Sequence, residues 1–260
     1  MKTNQSKSFV IDRQNVKYYA DKISAWIAEL VKANHRKGVV LGMSGGIDCS
    51  VVACLCHHAN IDTHLVMLPY GLDMKQTKSN AHAMELIEKF GFSHETYDIQ
   101  PAVDMLTITS KQALNLATEA NITLSRANIR PRVRMTYLYE LAQLGSRFVI
   151  GTGNMSERTV GYFTKWGDGA CDLNPLAMLT KQEVYILAEF LGVPEAIITK
   201  KPSAGLWEGQ TDEDELGMTY AQIDAFILDG TSGDTDIDKV IEQRMAQSKH
   251  KFDSLPIFTA

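Results

Sequence analysis

The run from Gly38 to Met43 (GVVLGM) empties into Ser44-Gly45-Gly46, and Ile47, Val51, Val52 and Leu55 then recur at helical spacing. Strand, glycine-rich turn and helix follow one another directly, which points to an alternating α/β chain. The pattern recurs. Thr63 to Leu68 (THLVML) reads as a second buried strand closed by Pro69, and Ser79 to Phe90 as a helix with Gly91 at its end. His94 to Ile99 is a third, weaker strand. Helical stretches are expected at Val103 to Glu119 and Arg132 to Leu144, before a fourth strand at Arg147 to Ile150 (RFVI). The predicted fold is a doubly wound, Rossmann-like parallel sheet with helices on both faces and its ligands at the carboxyl ends of the strands.

The flanks fit one domain spanning residues 1–260. Val16 to Ala33 is an amphipathic helix with Tyr19, Ile23, Trp26, Ile27 and Leu30 on one stripe. Leu179 to Gly192 reads as a helix, and so do Tyr220 to Leu228 and Ile237 to Met245. Lys200 to Leu216 has no periodicity and is expected to be a long loop, functional or disordered.

Composition removes several function classes. The formal charge is −5, so no generalised electrostatic grip on nucleic acid is expected, although a local basic pocket for a small anion is compatible with it. Met1 to Val10 lacks an apolar signal core and no long apolar run occurs, so a cytoplasmic protein without a membrane span is expected. Cys49, Cys54, Cys56 and Cys171 are too few and too clustered for a disulfide framework. Cys54 and Cys56 lie two apart on a helix, point apart, and read as buried thiols rather than metal ligands.

The chemistry centres on Gly42-Met43-Ser44-Gly45-Gly46-Ile47-Asp48-Cys49-Ser50. Glycines let backbone N–H groups approach an anion and the helix N-terminus adds a positive dipole end, so phosphate is the natural guest. A Walker A loop would carry a lysine where Asp48 stands, and Asp48 repels phosphate unless a cation lies between them. A plain glycine turn with an aspartate cap is the alternative.

The pattern SGGIDCS resembles the pyrophosphate loop of the PP-loop ATPases, which split ATP between the α and β phosphates. In that family the usual form is SGGxDS, so Cys49 replaces a serine and removes one hydroxyl contact. Further blocks narrow the resemblance: RPRVRM from Arg130, GTGNMSE from Gly151, VGYFTKWGDG from Val160 and PSAGLWEGQTDE from Pro202 look like the NAD synthetase family. The likeness extends from about Gly38 to Lys251.

It implies adenylation of the carboxylate of deamido-NAD by ATP with Mg²⁺, then amidation. Carried over residue by residue, it assigns Gly42 to Ser50 (Gly42, Met43, Ser44, Gly45, Gly46, Ile47, Asp48, Cys49, Ser50), Thr152, Lys181 and Ser203 to ATP, and Asp48 and Glu157 to magnesium. Arg132, Lys165, Asp172, His250 and Lys251 are assigned to deamido-NAD. Asp48 and Lys181 become catalytic, and Asp168 would hold or deprotonate ammonium. Read alone, Lys181 is a solvated surface lysine, Glu157 a surface acid, Asp168 a turn residue, and Arg130, Arg132 and Arg134 a solvated turn. Tyr162 and Phe163 are either an aromatic platform or core.

Met67 stands where some bacterial relatives place an arginine on adenine. Trp207 and the Lys200 to Leu216 loop would form a lid over the site. No glutaminase domain is expected, so free ammonia is the donor, and the resemblance implies a homodimer. A tRNA thiolase would need RNA-binding charge and reactive cysteines. An ATP-binding sensor would need neither Glu157 nor Lys181.

Overall fold

The computed structural model describes residues 10–71, 77–108, 114–115, 117–202, 211–253 and 256–258. Ser203, Trp207 and most of the expected lid lie outside the described residues. Four parallel strands form the sheet: β1 (Val39–Gly42), β2 (Thr63–Met67), β3 (Ser93–Thr96) and β4 (Phe148–Val149), ordered β3-β2-β1-β4. Val39 pairs with Thr63 on one side and with Phe148 on the other.

Alternation along these strands sorts side chains onto two faces. Val39, Leu41, Leu65 and Met67 join the core beneath α1 (Val16–Ala33), α2 (Ile47–His58), α3 (Thr77–Phe90) and the later helix Lys181–Leu191. Val40, Val66 and Val149 face the opposite way, against α4 (Gln100–Leu106) and α5 (Glu119–Gly145). Helices therefore cover both faces, as the sequence predicts. A third apolar cluster, Val160, Leu216, Met218, Tyr220, Ile223 and Ile241, lies in the C-terminal part of the chain.

The chain runs from β1 outward through β2 to β3, then crosses back to place β4 on the other side of β1. That reversal opens a crevice beyond the carboxyl ends of β1 and β4, where open α/β sheets bind ligands. The two glycine loops, after Gly42 and after Ile150, both end there.

Several elements differ from expectation. The helix predicted from Arg132 begins at Glu119 and contains Pro131 in its interior; Thr118 caps it, accepting the Asn121 N–H at 3.2 Å. Proline forfeits one backbone donor, but packing against the sheet carries the helix through it. The solvated turn read at Arg130 to Arg134 is thus a helix, and Arg134 donates to the Leu68 carbonyl at 2.9 Å. Burial, reinforced by Arg130, pulls its guanidinium down to about 10. The helix expected from Val103 to Glu119 is in fact α4, ending at Leu106, while residues 109–113 and 116 lie outside the described residues. The strand expected to reach Ile99 stops at Thr96, and Ile99 is instead the buried N-cap of α4. Cys54 and Cys56 are buried thiols, as predicted, and burial pushes both up to about 12.

Candidate active site

The loop after β1 turns tightly through two glycines into α2. Gly45 takes φ +70°, a conformation L side chains rarely adopt, and Gly46 begins α2 as an N-cap without a side-chain acceptor for the first-turn N–H groups. Ser44 Oγ accepts the Gly46 N–H at 3.3 Å, and the Ser50 hydroxyl donates to the Gly46 carbonyl at 2.7 Å. Cys49, where the loop pattern has serine, lies 3.2 Å from the same carbonyl, so the thiol braces the turn from within. Thr152 lies in the second glycine loop, across the crevice, with Gly153, whose carbonyl accepts from Asn174 at 2.9 Å.

Three ionisable groups from three elements meet between these loops. Lys181 Nζ, on the first residue of α7 (Lys181–Leu191), lies 2.6 Å from Asp48 Oδ2 and 3.5 Å from Glu157 Oε1. Glu157 is on α6 (Met155–Thr159), where Asn154 and Glu157 form a reciprocal capping box. Asn154 also donates its amide to Asp48 Oδ1 at 2.9 Å, so one buried asparagine orients both carboxylates. The Lys181 side chain is only 3% exposed while Asp48 and Glu157 keep 18% each, so the lysine lies at the base and the acids face the crevice. The isolated reading of Lys181 as a surface lysine is therefore replaced by a buried, paired one.

The electrostatics follow from two carboxylates sharing one ammonium. Burial and the neighbouring Asp48 charge push Glu157 up to about 8, against the pull of Lys181. Burial opposes the Lys181 charge, yet Asp48 and Glu157 outweigh it and hold the amine above its ordinary range. The Tyr220 ring lies 4.9 Å from Lys181 Nζ and its hydroxyl donates to Asp212 Oδ2 at 3.1 Å. Burial first, then Glu157 and Asp212, keep that phenol protonated.

Four of the five predicted substrate residues converge on the chain that follows α6. Arg132 Nε lies 3.4 Å from the Lys165 carbonyl, Lys165 donates to the His250 carbonyl, and Lys251 donates to the carbonyls of Gly161 and Phe163 at 2.7 and 2.6 Å. Arg132, Lys165, His250 and Lys251 thus gather around the loop 161–169. Asp168 is in that loop, accepting the Thr164 N–H at 2.9 Å, and burial raises its carboxyl against that bond and the Lys251 charge. Asp172 is engaged at the sheet edge: it accepts the Val149 N–H at 2.7 Å and faces Tyr139 Oη at 3.4 Å. Phe163 packs edge-on to Phe252, with ring centroids 5.2 Å apart. Tyr162 sits against the third core cluster and donates to Glu215 at 2.8 Å.

Residues 19–254 match the family model described as NAD synthase. The chain belongs to the NAD synthase family. It is 37% identical over 242 residues to the NH(3)-dependent NAD(+) synthetase of Mycoplasma genitalium, an alignment spanning 92% of this chain and 94% of that one. Among solved structures it resembles an NMN synthetase from Francisella tularensis, with TM-score 0.83 and 39% identity over 94% and 99% of the two chains. It also resembles an NH3-dependent NAD synthetase from Campylobacter jejuni, with TM-score 0.75 and 30% identity over 96% and 100%.

Asp48 and Glu157 are the two carboxylates of the crevice that could hold a hard cation. No group of three or more His, Cys, Asp or Glu that could cage a metal occurs among the described residues. An ion that takes one or two carboxylates would complete its shell there with waters and phosphate oxygens, while Lys181 pairs both acids in this structure. Beyond α7 the chain forms α8 (Glu195–Ile198), α9 (Asp212–Leu216) and α10 (Tyr220–Asp229). Sequence reasoning missed Asn154, Tyr220 and Asp224, the last two lying on α10. Only the run Asn154-Met-Ser-Glu157, an N-cap followed three residues later by an acid, offered a signal in advance.

Proposed function

We propose that this protein makes NAD by amidating the nicotinate carboxylate of deamido-NAD with ammonia, using ATP and releasing AMP and pyrophosphate. The observation that carries this reading is the Asp48–Lys181–Glu157 cluster set between two glycine loops at the switch point of the sheet. A carboxylate does not react with ammonia until its oxygen becomes a good leaving group, so adenylation comes first. The glycine loop and the first turn of α2 cradle the triphosphate, and the carboxylate attacks the α-phosphorus, forming the acyl-adenylate and expelling pyrophosphate. Lys181, charged at every working pH, offsets the charge that builds on the departing pyrophosphate. A magnesium ion held by Asp48 and Glu157 would neutralise phosphate charge there. Ammonia then attacks the acyl carbon, AMP leaves, and Asp168 stands as the group that takes or holds the proton.

Arg132, Lys165, Asp172, His250 and Lys251 are assigned to deamido-NAD, and Thr152 and Ser203 to ATP. Free ammonia is the donor, the active form is a homodimer, and the setting is the cytoplasm. No helix among the described residues is long and apolar enough to cross a membrane. Purified protein with ATP, Mg²⁺, deamido-NAD and ammonium should yield NAD, AMP and pyrophosphate in equal amounts, whereas ADP and orthophosphate would reject α-phosphate chemistry. The likeness to an NMN synthetase favours a second reading, in which the acceptor is the nicotinate mononucleotide. Running both acceptors in parallel decides between them by kcat/KM.

A further inference from the structure

Lys181 is the first residue of its helix, and the group that seats that turn comes from far along the chain. Asp224 is buried on α10 (Tyr220–Asp229) and aims both oxygens at this turn. Oδ2 accepts the Gln182 N–H at 2.9 Å and Oδ1 faces the Lys181 N–H at 3.4 Å. Ser156, fully buried, donates its hydroxyl to Asp224 and accepts the Lys181 N–H at 2.9 Å. Ser156 directly precedes Glu157. Through the Ser156 hydroxyl, one carboxylate therefore ties the main chain of Lys181 to the residue before Glu157, the acid that shares the Lys181 ammonium with Asp48.

The helix does not need Asp224 in order to start. Thr180 and Glu183 already form a complete capping box, which satisfies the third N–H of the helix and leaves the first two open. Asp224 and Ser156 meet those two from outside the helix, so their contribution is location rather than initiation. The same α10 also supplies the Tyr220 ring beside the Lys181 ammonium. Both ends of the lysine are thus seated on one distant helix.

We propose that Asp224, acting through Ser156, is a positioning residue that holds the Lys181 ammonium at its working place between Asp48 and Glu157. The proposal rests on the NAD-forming reading and deepens it. Asp224→Asn keeps the shape but turns one acceptor into a donor facing an amide or hydroxyl. In folded protein, kcat should fall about tenfold or more while KM for ATP stays within about threefold, since the loss falls on a group acting in the transition state. Ser156→Ala should lower kcat in the same way, and the double variant should fall short of the product of the two, because both cut one link. Thr219→Ala removes the N-cap of α10 without touching this link, so it should lower thermal stability and leave kcat intact.

A readout independent of turnover is the labelling of Lys181 by an amine-reactive reagent, followed by peptide mass spectrometry. The 2%-exposed lysine should be protected in the parent and in Thr219→Ala, and should label faster in Asp224→Asn. If the parent makes no NAD from either acceptor, the functional reading fails while labelling still tests the positioning. If Asp224→Asn does not fold, Ser156→Ala carries the test. A kcat within about twofold of the parent, or additive effects in the double variant, or losses matched by Thr219→Ala, would overturn the proposal.

Discussion

Glu157 stores a conflict that shows in the pH dependence of stability. Its folded-state value of about 8 lies above the ordinary 4.5, so the fold prefers the protonated acid. That stabilisation is present below 4.5 and is lost as pH rises through about 8. Lys181, raised above its ordinary 10.5, stays charged throughout this window and adds no slope to it. Glu157→Gln mimics the protonated form, so its melting temperature minus that of the parent should widen between about pH 5 and about pH 9. A constant difference across that range would remove the electrostatic account. Turnover should collapse in the same variant if the carboxylate holds the metal, whereas a non-catalytic ATP sensor would merely bind the nucleotide differently. Replacing Lys181 with Met removes the ammonium while keeping much of the side-chain volume. It should lower kcat by about 10²–10³, the usual effect of losing one preorganised charge partner in a transition state. Unchanged kcat with raised KM would assign Lys181 to ground-state binding alone.

Elements rather than single residues bring the two glycine loops together, and the second loop is the more tightly packed. A Cβ built on Gly151 would lie 2.6 Å from Cys171 Sγ and 3.0 Å from Cys171 Cβ. Gly151→Ala should therefore destabilise by about 1–3 kcal/mol in urea titration, and Cys171→Ala in the same chain should recover part of that loss. An equal loss with and without Cys171 would mean that the strain lies elsewhere. This contact was illegible in the sequence because Gly151 and Cys171 share no periodic pattern. What was legible came from local repetition: α1 matches its predicted bounds, and the apolar stretches around Val39, Thr63 and Phe148 became strands. The long α5 was not, because Pro131 reads locally as a helix boundary and only packing on the sheet overrides it. Within the site, Asp48 and Glu157 followed from motif blocks. Asn154 had a local capping signature, but its bond to Asp48 spans 106 residues and no local rule foretells it.

At the scale of the whole molecule, the site is finished by the last third of the chain. Lys181 and Asp48 are 133 residues apart, and the seat of Lys181 comes from α10, which belongs to the third apolar cluster rather than to the cores against the sheet. That cluster is small, and Ile223 and Ile241 are its fully buried aliphatic members. Activity should therefore depend on a part of the molecule with less apolar support than the sheet, which opens at lower free energy. Ile223→Ala creates a cavity there, at a cost of about 2–5 kcal/mol by analogy with other buried large-to-small changes. In urea the variant should lose NAD formation before the far-UV signal of the helices around the sheet, with the two midpoints separating further than in the parent. If both midpoints instead shift together and stay coincident, the C-terminal cluster and the sheet unfold as one unit, and the crevice cannot be dismantled from its far side.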